Sequence, residues 1–188
     1  WRGVWSRFAS GTAWSDRGLN GGGGRQWQLC RRDRSKQVLE ELAGEGAESA
    51  STPRGVGQRV EDGLIFLSLP NAGSVTEVVE GGNGLFAGLA SGSKVVDMGS
   101  TAVEPTRGWY EKAISMGSDW IDAPVSGGQK GAREASLTIM AGGLEESVDA
   151  VRSVLGLLGT TITYMGLSGA GQCAKLANQV IVASTIAS

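Results

Sequence analysis

The chain has 188 residues, 40% hydrophobic and 19% charged, with a net charge of −2; that is the composition of a folded domain and argues against a nucleic-acid binder or a partner of anionic membranes. The absence of histidine excludes a Ser-His-Asp triad, a Cys-His pair and histidine-ligated metal sites. The two cysteines, Cys30 and Cys173, are far apart and read as free thiols in a reducing compartment such as the cytoplasm, and no run of ~18 apolar residues suggests a membrane span.

Residues 1–24 show neither the period of a strand nor that of a helix and close on the glycine run 21–24, which predicts an irregular or flexible segment. Arg2, Arg7 and Arg17 among serines leave a mitochondrial or plastid transit sequence open. From residue 25 the pattern changes. The run 25–30 reads as a strand and 35–46 as a helix stopped by Gly44 and Gly46. "GLIFLSLP" (63–70) has the form of a strand buried on both faces. Residues 74–81 read as a short helix with Ser74 as its cap and Glu77 in the capping-box position. A strand follows at 92–100, then a helix at 103–117 that tolerates Pro105 in its first turn. "DWIDAPVSGG" (119–128) reads as strand into loop, and 135–143 as another strand. The helix at 144–159 is amphipathic, with Val148, Val151, Val154 or Leu155, and Leu158 on one face. A strand at 160–166 and a final helix from 171 complete the reading. Strands and helices in alternation predict an α/β domain with a largely parallel sheet.

Ligands of such sheets bind at the carboxyl ends of the strands. Three segments fall there: 69–74, 97–101 and 123–128. In the last, Ser126 is followed by Gly127 and Gly128, so backbone and a hydroxyl can approach a carboxylate closely. The plainer reading is a left-handed turn after a strand. Lys175 stands in "GAGQCAKLANQV" (169–180) among small and apolar residues. Helical spacing puts Gly171, Lys175, Asn178 and Val182 on one stripe, where a partly buried lysine can exchange a proton with a substrate oxygen. On spacing alone, the plainer reading is a lysine whose stem covers apolar surface.

Four segments, "FLSLPNAGSV", "VVDMGST", "DWIDAPVSGGQKGAREASLTIMAGG" and "GAGQCAKLANQ", resemble the β-hydroxyacid dehydrogenases, the family of 3-hydroxyisobutyrate dehydrogenase and, more distantly, 6-phosphogluconate dehydrogenase. The resemblance runs from about residue 29 to 188. It implies a Rossmann-like NAD(P)-binding domain over 25–166 and the start of an interdomain helix over 167–188. It also implies an oxidoreductase that moves a hydride between a nicotinamide cofactor and a small 3-hydroxy acid or its semialdehyde. By matched position, Lys175 would be the general acid or base, Asn178 would bind the substrate, and Ser126, Gly127 and Gly128 would hold its carboxylate. Leu69, Pro70, Ser74 and Thr101 would line the cofactor. Arg31 and Arg32 fall where the adenine ribose would lie, which favours NADP with NAD as the alternative.

The family pattern is incomplete at both ends. The glycines of 18–24 are not followed by room for a helix before the strand at 25–30, so the first βα unit is expected to be missing and with it a pyrophosphate turn. At the other end the family's closing all-helical domain is expected to be absent, leaving the last helix's apolar face for self-association. Two readings follow: a dehydrogenase, or a shortened relative that retains at most weak nucleotide binding or an interaction role. Neither a nucleic-acid nor a membrane partner is expected.

Overall fold

The computed structural model describes residues 12–17, 26–30, 48–60 and 63–188. In chain order the strands are β1 Thr12–Arg17, β2 Gln26–Cys30, β3 Glu48–Ala50, β4 Leu64–Ser68, β5 Lys94–Asp97, β6 Asp119–Asp122, β7 Val125–Ser126, β8 Leu137–Gly142 and β9 Gly159–Gly166. The helices are α1 Pro53–Arg59, α2 Ala72–Glu80, α3 Val103–Ser115, α4 Gly128–Glu134, α5 Glu145–Leu155 and α6 Ala170–Ala187, with a 3-10 turn at Leu85–Ala87. They build one sheet in the order β3-β2-β1-β4-β5-β6-β8-β7, with β9 on β8. β4, β5 and β6 run parallel, as do β2 with β3 and β8 with β9. β8 turns back against β6 and β7.

The apolar runs become strands because both faces are covered. Along β4, Leu64 and Phe66 enter one apolar cluster, whereas Ile65 and Leu67 enter another on the opposite face. β5 and β6 divide in the same way: Val96 and Ile121 face the first cluster, Val95 and Trp120 the second. α5 closes the first layer with Val148, Val151, Val154 and Leu155, joined by Leu158, the face its periodicity predicts; each buried side chain contributes about 1.5–3 kcal/mol. On the second layer Val75, Val78 and Val79 of α2 pack with Trp109 of α3. Trp109 lies 5.4 Å, ring centre to ring centre, from Trp120.

The structure departs from the sequence reading in several places, and adds β3 and α1 where the reading had no element. Thr12–Arg17, inside the segment expected to be irregular, is a strand, and it runs antiparallel to both neighbours, β2 and β4. The cap of α2 is Asn71, whose side-chain oxygen accepts the Ser74 amide at 2.9 Å, so Ser74 sits within the first turn. The loop expected after Ser126 winds into α4. The stripe Gly171, Lys175, Asn178 and Val182 is buried only over its first turn: Gly171 and Lys175 are covered, while Val182 is exposed. The helix expected at 35–46 lies outside the described residues.

Candidate active site

At the carboxyl ends of β4, β5 and β6, a cleft of about 490 Å³ opens between the crest of the sheet and α6. Ser68 and Met98 form its floor, the Val125–Gly128 segment and Leu137 one wall, and Lys175 and Gln179 the other. That segment leaves β6 through Pro124 and turns at Gly127 and Gly128, whose φ angles are 133° and 61°. Residues with a Cβ rarely adopt these conformations. A Cβ on Gly127 would also stand 3.1 Å from the Leu137 side chain, whereas Gly128 faces open space. The chain thus brings backbone and the Ser126 hydroxyl to the cleft with no bulk in front of them.

Lys175 enters from the opposite side. It is 7% exposed, it is the one charged side chain in the lining, and no ion pair engages it among the described residues. Burial pushes its ammonium below the ordinary lysine value, because a low-dielectric setting disfavours the charged form. A concave site with one buried cation, two serine hydroxyls, glycine backbone and no lining carboxylate suits a small anion bearing an oxygen that exchanges a proton.

α6 is held over this cleft by polar anchors. The Asp122 carboxylate ends β6 and accepts the Gly169 amide at 2.8 Å and the Gln172 amide at 2.9 Å. Burial pushes its carboxyl upward, opposed by the helix amides. Gln172 in turn bonds the crest of β5: its amide donates to the Gly99 carbonyl at 2.8 Å, and its oxygen accepts the Thr101 amide at 3.0 Å. Asp97 stands in register with Asp122 on the neighbouring strand. It is wholly buried; one oxygen accepts the Gly99 amide at 2.9 Å and the other has no hydrogen-bond partner among the described residues. Burial above all, with Asp122 adding to it, pushes its carboxyl up to about 7.

Of the residues singled out from sequence, Ser126, Gly127, Gly128 and Lys175 meet in the cleft. Asn178 is half-buried next to Gln179, which lines the cleft in its place; the i+4 position follows Lys175 around the helix more closely here than i+3. Leu69 is buried at the end of β4, Pro70 is exposed and Ser74 is half-buried on α2, and none of the three lines the cleft. Thr101 is buried with its hydroxyl 3.1 Å from that of Thr106. Arg31 and Arg32 lie outside the described residues. Sequence reasoning missed Ser68, Met98, Asp97, Asp122 and Gln172. The signal for Asp97 was present: it is the lone carboxylate of its strand and closes it.

The crest also bears on a dinucleotide. Gly73, in the first turn of α2, has only the Asn71 side-chain oxygen near the place of a Cβ, at 3.4 Å, and so leaves room for a ligand to approach. Gly99 packs so close that a Cβ would stand 2.8 Å from the Leu69 carbonyl. The space at Gly73 leaves room for one half of a dinucleotide, whereas the Gly99 contact is packing within the protein. The first strand does not supply the other half: Asp16 pairs with Leu64 at the start of β4, and Arg17 pairs with Gln26. β1 therefore ends, and β2 begins, at the end of the sheet opposite the cleft.

The family model for the NAD binding domain of 6-phosphogluconate dehydrogenase matches residues 24–166. The chain belongs to that family. It is 41% identical over 149 residues to 2-hydroxy-3-oxopropionate reductase of Escherichia coli, covering 79% of this chain and 50% of that protein. The solved structure of Mycobacterium tuberculosis 3-hydroxyisobutyrate dehydrogenase with L-serine superposes with a TM-score of 0.72 at 28% identity, covering 80% of this chain and 50% of that one. The protein Psf3, solved with NADP+ and 2-OPP, gives a TM-score of 0.72 at 28% identity over 79% of this chain and 52% of that one. The chain thus spans about half the length of these proteins. The family accounts for the α/β domain and for its NAD(P)-binding class. Among the described residues no helix is long and apolar enough to cross a membrane.

Proposed function

We propose that this chain carries the cofactor-binding and proton-donating part of an NAD(P)-dependent dehydrogenase that acts on a small 3-hydroxy acid or the corresponding semialdehyde. The observation that supports it is the juxtaposition in one cleft of buried Lys175 with the Ser126–Gly128 turn. In this reading the turn and the Ser126 hydroxyl bind the substrate carboxylate, and Lys175 meets the reacting oxygen. During reduction of an aldehyde the Lys175 ammonium gives its proton to that oxygen and is left as a neutral amine; in the reverse direction the amine takes the proton back. Its depressed basicity brings the two forms closer in energy. Gln179 bounds the substrate at the cleft mouth, with Asn178 beside it on α6. When bound, the nicotinamide dinucleotide supplies or accepts the hydride. Leu69, Pro70, Ser74 and Thr101 are the residues of the crest that would hold its reacting half, and Arg31 and Arg32 the ones that would meet a 2′-phosphate, favouring NADP. The free Cys173 fits a reducing compartment, and we place the protein in the cytoplasm on that ground.

A second reading is favoured by the direction of β1. β1 brings no glycine turn to the crest among the described residues, so in this reading the dinucleotide would be held by its reacting half alone and bound weakly. Titration of the chain with NADPH and then NADH, followed by calorimetry, separates the two. Saturable micromolar binding supports the dehydrogenase reading; binding only near millimolar cofactor supports the second; no binding at millimolar concentration sinks both.

A further inference from the structure

We propose that Gln172 is a positioning residue: its side-chain amide clamps α6 to the crest of β5 and thereby sets where Lys175 stands in the cleft. The inference rests on the reading of Lys175 as the proton donor. It begins from how little else holds the helix. α6 runs from Ala170 to Ala187, yet its buried residues are Gly171, Gln172 and Lys175 alone. Its large apolar side chains, Leu176, Val180, Ile181, Val182 and Ile186, are 40–82% exposed, so no apolar anchor fixes its position on the described domain.

Polar bonds replace it. Gln172 is 0% exposed and pairs with the crest as a neighbouring strand would, donating to the Gly99 carbonyl and accepting from the Thr101 amide, at 2.8 and 3.0 Å. A carboxamide offers a donor and an acceptor side by side without charge at any pH in the working range, and the asparagine side chain is one carbon shorter. Beneath it, Asp122 accepts the Gly169 and Gln172 amides, a placement the helix dipole also favours. Two glycines fix the height of the helix. A Cβ on Gly142 would stand 2.8 Å from both an Asp122 oxygen and the Gly171 amide, and one on Gly171 would collide with the Met140 carbonyl. Lys175 follows Gln172 by three residues on the same face, a rise of roughly 4.5 Å. The clamp thus ties the proton donor to the 99–101 segment by side-chain bonds to its backbone, and a tilt at Gln172 moves Lys175 directly.

The test replaces Gln172 by leucine in the full chain and reads two quantities that need no turnover. One is amide hydrogen exchange at Gly169 and Gln172, which bond Asp122 and not the Gln172 side chain. The other is the pH midpoint for acylation of Lys175 by acetic anhydride. The clamp predicts that protection of both amides falls roughly tenfold or more, as expected when buried hydrogen bonds are lost, while β4–β6 amides keep theirs. It also predicts that the Lys175 midpoint rises toward the ordinary lysine value as the side chain is released to solvent. A folded Gln172→Leu chain with wild-type protection at 169 and 172 and an unshifted midpoint overturns the proposal. Should that variant not fold, exchange in the wild type decides. The Thr101, Gly169 and Gln172 amides are expected to open in one step with a common denaturant dependence, and separate openings overturn the clamp. Because neither readout involves catalysis, a Lys175→Ala chain that retained turnover would sink the proton-donor reading and leave the clamp result standing on its own.

Discussion

Replacing Asp97 by asparagine removes a proton-binding site at which the folded and unfolded chains differ strongly. The carboxyl is wholly buried beside Asp122, and its value rises from the ordinary 3.8 to about 7 in the folded chain. Below pH 3.8 both states hold the proton and the native fold has its full stability. As pH climbs from 3.8 through about 7, only the native state holds it, so stability falls across that window and is flat above it. At about 1.4 kcal/mol per pH unit, the wild type loses about 4 kcal/mol that the variant keeps. Asparagine retains an oxygen for the Gly99 amide, now bonded at 2.9 Å, so the swap preserves the local geometry. Urea unfolding followed by the fluorescence of buried Trp109 and Trp120 should show the difference in stability, variant minus wild type, growing by about 4 kcal/mol between pH 4 and pH 8. Curves that run parallel to within about 0.5 kcal/mol would refute the assignment of a neutral buried Asp97.

Other substitutions probe the rest of the site. Gly171→Ala drives a Cβ into the Met140 carbonyl and should cost about 1–3 kcal/mol, seen as a lower urea midpoint together with faster acylation of Lys175. Ser126→Ala should raise KM for a carboxylate substrate about tenfold with kcat little changed, the mark of lost ground-state binding; steady-state kinetics check it. Arg32→Ala should weaken NADPH binding roughly tenfold and leave NADH binding unchanged, measured by calorimetric titration.

What could be read from the sequence was set by periodicity. β4, β5, α3, α5 and β9 were legible, because each packs against one or both of the two apolar layers. β1 escaped because "TAWSDR" carries little apolar character; its pairing with β2 and β4 is set by neighbours in space. α4 escaped because Gly128 and Gly131 disguise a helix. Within the site, Ser126, Gly127, Gly128 and Lys175 were legible as motif residues. Gln172 and Asp122 were not, since their roles consist of bonds to segments 47 to 73 positions away. Asn178 against Gln179 is a difference of one position on a helix, settled by how α6 is rotated on its anchors.

The central claim is that Lys175 passes the proton during hydride transfer, and one measurement addresses it most directly. Initial rates of NADPH oxidation with a small semialdehyde acid are compared for the wild type and Lys175→Ala. The account predicts that kcat falls by about 10²–10⁴ while KM changes little. An unchanged kcat in Lys175→Ala would contradict it.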